Sequence, residues 1–146
     1  MKPIAERNYD LFVSILPIEV LIEKQYVKLA ATGFMDLSIE ILEEADGGYD
    51  IAMAHYYLQN GDMCPDPDMQ LFLDPVKKTL TGLSITHAMG LYKCAFLDTN
   101  GGHRNLDLRV VEELNKFLGF WLRNLRDQGF SGKELVADLR GSRETA

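Results

Sequence analysis

The sequence predicts an α+β fold, an antiparallel β-meander of four to five strands packed against one or two N-terminal helices and one long C-terminal helix. Three observations carry the prediction. Apolar and polar residues alternate from Met35 into the middle of the chain, the two-residue period of a half-buried strand. Val110, Val111, Leu114, Phe117, Leu118, Trp121, Leu122 and Leu125 instead recur at the 3.6-residue period of a helix. The connections between the strand-like runs are short, which favours antiparallel neighbours over parallel crossovers.

A chain of 146 residues with 47% hydrophobic and 25% charged side chains fits one soluble domain, residues 1–146, able to build a core without a metal or a disulfide. Ala5 to Leu16 carries Tyr9, Phe12, Val13 and Leu16 at helical spacing, and Pro17 either ends that helix or starts a second. Residues 18–28 mix apolar and charged side chains and are read as helical. From Phe34, Met35, Leu37, Ile39 and Ile41 point inward between Asp36, Ser38 and Glu40. Ala45-Asp46-Gly47-Gly48 is a turn, after which Ile51, Met53, His55 and Tyr57 share one face and Asp50, Ala52 and Ala54 the other.

Asn60-Gly61 is a second turn, since both residues tolerate positive φ, and Pro65 and Pro67 stiffen the path into a strand at Met69 to Leu73. Thr79 to His87 forms the fourth strand, and residues 89–97 read as a further one before the turn at Thr99 to Gly102. The long helix spans 106–128, with Asp107 as N-cap and Gly129 at its left-handed terminus. A short helix at Lys133–Leu139 and a frayed tail from about residue 140 complete the expectation.

The segments GFMDLSIEIL, YDIAMAHYYLQNGDMCPDPDM and LNKFLGFWLRNLRDQGF resemble an uncharacterised bacterial domain-of-unknown-function family associated with plasmids, phages and integrative elements. The pattern from Leu114 to Gly129 also resembles the end of a second uncharacterised proteobacterial family. Neither resemblance implies an activity, a cofactor or a catalytic residue.

Charge is the most informative feature for function. The net charge is −7, and residues 29–76 hold ten acidic side chains and no lysine or arginine. Nucleic-acid affinity rests on cations that neutralise phosphates, so direct nucleic-acid binding is not expected of this segment; a basic protein partner suits it, with Asp50, Tyr56, Asp62, Asp66 and Asp68 as the candidate contacts. The alanines beside Tyr56 permit close packing, and a second helix covering that face is the expected alternative to an open docking surface. A DNA-mimicking surface is a bolder form of the same idea.

The competing reading is a divalent-metal site or metal-dependent enzyme. His55 and His87 both point inward on nearby strands, and Asp62, Asp66 and Asp68, with Asn60, supply hard oxygen atoms at one sheet end. Each histidine reads more simply as a hydrogen-bonded interior residue, and each aspartate as turn chemistry. Cys64 with His55 as base is a weak nucleophile pair, because flanking acids disfavour a thiolate. The chain has no GxGxxG, P-loop, HExxH or GxSxG pattern, so no cofactor is expected. No secretory signal or membrane-length apolar run is present, and Cys64 and Cys94 form no CxxC; a cytoplasmic protein with two thiols is expected.

Overall fold

The computed structural model describes residues 2–87, 92–100 and 103–132. Helix α1 spans Ile4–Ile15 and α2 spans Ile18–Lys24. Pro17 separates them and serves both: the ring stops α1, while the carbonyl accepts from Val20 and Leu21 to open α2. The helix expected over 18–28 is four residues shorter. Gln25 adopts a left-handed conformation with φ 65°, and Tyr26–Leu29 becomes strand β1 with Val27 and Leu29 inward. A β-branched residue and alternation supply the strand preference that the charged neighbours concealed.

Strands β2 (Leu37–Ala45), β3 (Gly48–Gln59), β4 (Asp62–Asp74), β5 (Thr79–Thr86) and β6 (Tyr92–Cys94) follow. With β1 they form one six-stranded sheet in sequence order, every neighbouring pair antiparallel. The meander is therefore as expected, wider by β1 at one edge, and β6 at the other edge falls within the run expected over 89–97. Strands β7 (Phe96–Asn100) and β8 (His103–Leu106) make a separate hairpin, so the described part of the expected run, residues 92–97, belongs to two strands broken at Ala95. Met35 does not point inward: it precedes β2 and is exposed. The expected helix at 133–139 and the tail lie outside the described residues.

Leu37 and Ile39 of β2, Ile51 and Met53 of β3, Met69, Leu71 and Leu73 of β4, and Leu80 and Ile85 of β5 line one face and are almost fully buried. Phe12 and Leu16 at α1, and Leu114, Leu118, Trp121, Leu122 and Leu125 of α3 (Leu108–Gln128), join them in one core. Each such side chain contributes roughly 1.5–3 kcal/mol through removal from water. Asp107 caps α3 by accepting from the Arg109 amide, and Gly129, at φ 97°, ends it.

The seam between helix and sheet has a polar key. A bulge skips Leu83 in the β4–β5 ladder, and the Gly82 amide donates to Asn115 Oδ1 at 2.7 Å. Asn8 Nδ2 of α1 donates to the Asn115 carbonyl at 3.0 Å. Gly82 must lack a side chain here, because a Cβ would stand 2.7 Å from that of Leu114. Three elements are thereby locked with their buried polar groups matched. No helix among the described residues is long and apolar enough to cross a membrane.

Candidate docking face

Among the described residues, no helix covers the other face of the sheet. Cross-strand register builds it in rows: Lys28, Ser38, Ala54, Asp68, Thr86 and Tyr92 form one, and Tyr26, Glu40, Ala52, Gln70, Ser84 and Cys94 the next. The helix expected over Ala52 and Ala54 is absent among the described residues. The buried apolar residues of all three helices belong to the opposite core, and the Asp50 end of the open face is met instead by the β7–β8 hairpin. The alanines serve another purpose: the Tyr56 hydroxyl donates to Asp68 Oδ2 at 3.0 Å, which takes the ring past Ala54, the cross-strand neighbour of Asp68.

Asp50 and Phe72 sit side by side in the ladder and are engaged by Arg104 of β8. Its guanidinium donates to both Asp50 carboxylate oxygens at 3.0 and 2.9 Å, meets Asp46 at 3.3 Å, and lies 5.2 Å from the Phe72 ring centre. Asp50 is buried, so this candidate contact is occupied within the chain. Asp74 is also internal, its Oδ1 accepting from Val76 and Lys77 in the β4–β5 turn. Asp36 lies 3.7 Å from Lys28. Among the described residues, Glu40, Glu43, Glu44, Asp62, Asp66 and Asp68 have no ion-pair partner. Asp68 Oδ1 is enclosed and accepts no hydrogen bond.

An apolar groove of about 440 Å³ lies beside Tyr56, the partner of Asp68. Met35, Tyr56, Leu58 and Met63 line it, with Lys28 and Asp36 at its edge. Leu58 and Met63 are ladder neighbours near the β3–β4 turn, 71% and 62% exposed. Exposed methionine and leucine beside tyrosine match the composition of protein interfaces, and methionine adapts to varied partners. Sequence reasoning missed Met35, Leu58 and Met63; the signal was present in the apolar residues flanking Asn60-Gly61.

Burial first, then the hydrogen bond to Asp68 and the nearby Asp68 and Glu40 charges, push the Tyr56 phenol from 10.0 up to about 12. A raised native value means that the stability contributed by the neutral phenol is complete below pH 10.0 and is lost as pH rises through about 12. Tyr9 and Tyr92 are also raised, so alkaline titration of phenolate absorbance should show several late components, and the one near 12 should vanish in Tyr56→Phe. A Tyr56→Phe titration indistinguishable from that of the parent would remove the Tyr56–Asp68 bond from the account.

The candidate metal ligands are distributed differently. His55 Nδ1 lies 3.0 Å from the Asp36 carbonyl, to which it must donate, and its ring packs on Trp121 and Phe130 with centroids 5.7 and 5.8 Å away. His87 instead meets Phe117 edge-on at 5.5 Å. Two aromatic rings of α3, themselves 6.3 Å apart, thus stand in the row between the histidines. Asp68 belongs to the opposite sheet face and Asp62 to the β3–β4 turn. Among the described residues no three His, Cys, Asp or Glu side chains converge as a metal-binding group. Cys64 lies opposite Tyr57 in the ladder, its Sγ 3.9 Å from the Asp62 carbonyl, while His55 lies opposite Leu37.

A family model described as "Domain of unknown function (DUF6908)" matches residues 10–131. No curated protein and no solved structure matches the chain.

Proposed function

We propose that this chain, which belongs to the DUF6908 family of domains of unknown function, is a non-catalytic cytoplasmic interaction module whose open sheet face receives a basic segment of a protein partner. The supporting observation is that the groove of Met35, Leu58 and Met63 is also lined by Tyr56, which binds Asp68, and begins one residue after Asp62, two carboxylates with no ion-pair partner among the described residues. A partner strand or loop carrying one apolar anchor and flanking lysines or arginines complements both features. The apolar anchor would supply affinity, and the charges would supply steering and selectivity. Asp62, Asp66 and Asp68, with Tyr56, are the contacts retained from the acidic segment; Asp50 acts as scaffold. The resemblance to a family associated with mobile elements suits an accessory protein of this kind.

The test is co-precipitation from cell extract with the wild type and with a Glu40→Gln, Asp62→Asn, Asp66→Asn triple variant. A basic protein should be retained by the wild type at low salt, released as ionic strength shortens the screening length to about 8 Å or less, and lost from the variant. Retention that ignores both salt and neutralisation would exclude the reading.

A further inference from the structure

On the helical side of the molecule, cations gather at one place. Between α1 and α3 lies a groove of about 490 Å³, within the range of small-molecule sites, whose rim is formed by Arg7, Lys116 and Arg123. Asp10 is the acid at this rim, and it is engaged by Lys2 at 2.9 Å. Lys116 meets Glu112 at 3.2 Å, while neither Arg7 nor Arg123 pairs with an acid among the described residues. Cations gathered around one concavity repel each other, and a purely structural helix contact has no need of them.

The groove is shaped by the same key that joins the helices to the sheet. Asn8 is tied to Asn115, which draws α1 against α3 at Gly119, where a Cβ would stand 2.9 Å from Asn8 Oδ1. The same missing side chain leaves room for Arg123, whose guanidinium nitrogen lies 3.4 Å from that Cβ position and so folds over the groove floor. Ile4 and Leu11 of α1 give the groove an apolar wall. Ile4 and Arg7 also belong to the first turns of α1, the end of a helix that favours negative charge.

We propose that this groove binds a small phosphomonoester, its dianionic head between Arg7 and Arg123 and its apolar body against Ile4 and Leu11. Planar guanidinium groups match phosphate oxygens bidentately, and two of them with a nearby ammonium balance a dianion better than a single carboxylate. The site is separate from the acidic sheet face, and it stands or falls independently of the partner proposed there.

Phenyl phosphate is the probe, titrated calorimetrically into the full chain at low salt, with inorganic phosphate as the head-only arm. Saturable binding is expected, with Arg7→Gln and Arg123→Gln each weakening it by about tenfold or more, as loss of a charge-assisted hydrogen bond implies. Inorganic phosphate should bind more weakly than the ester, and Lys77→Gln, a cation in the β4–β5 turn, should leave the affinity unchanged. Both arginines are exposed, so the melting temperatures of their variants should stay near that of the parent, and a thermal melt verifies that each is folded. Absence of saturable binding, equal affinity for inorganic phosphate, unchanged affinity in both arginine variants, or an equal loss in Lys77→Gln would each overturn the proposal.

Discussion

Trp121→Ala is expected to lower folding stability by about 3–5 kcal/mol, the range for deleting a large buried aromatic. The indole is 6% exposed and stands between His55 of β3 and Phe117 one turn earlier on α3. Its removal opens a cavity at the point where α3 seals the apolar side of the sheet, and backbone held by the Gly82–Asn115 bond cannot readily collapse into it. Trp121→Phe should recover much of the loss, since it restores ring contact with less volume. Denaturant unfolding checks both variants. A loss below about 1 kcal/mol for the alanine variant would mean that α3 is not seated on the sheet as described.

Arg104→Ala should have the second-largest effect, about 2–3 kcal/mol, because it leaves the Asp50 carboxylate buried without its cation. The estimate lies below that for a fully buried pair, as the Arg104 side chain retains 21% exposure and Asp50 12%. Arg104 also covers the Phe72 ring, so Arg104→Met, which keeps the stem but not the charge, should fall between. Combining Asp50→Ala with Arg104→Ala should cost less than the sum of the single changes, since neither charge is then stranded. Strict additivity would show that the pair does not hold the β7–β8 hairpin to the sheet.

These two residues also mark what could be read in the chain and what could not. The stripe from Val110 to Leu125 was legible because a 3.6-residue period and an Asp107 cap point to the same helix, and β2, β3 and β5 were legible from alternation and turn dipeptides. Asp50 looked like a free surface acid because its cation lies 54 residues away, a separation at which local pattern carries no information. The length of β4 was hidden by Pro65 and Pro67. Prolines argue against a central strand, yet the ladder shifts register between Ala54 and Tyr56, and Asp66-Pro67 lies within the irregularity. Met35 read as an inward residue by alternation, and Phe34, Leu58 and Met63 carried no distinguishing pattern; only tertiary structure leaves all four exposed. His55 and His87 were correctly placed inward; that they meet Trp121 and Phe117 depends on where α3 docks.

The open face of the sheet is the centre of the functional account, and it can be probed directly. A photo-crosslinking residue placed at Gln70, exposed between Ala52 and Ser84, should capture a basic protein in cell extract at low salt; the same residue at Arg109, exposed on α3, should not. Capture at Gln70 should fall when Glu40, Asp62 and Asp66 are neutralised together. Adducts of equal yield at both positions, or none at Gln70 under any ionic strength, would contradict the assignment of this face as the docking surface.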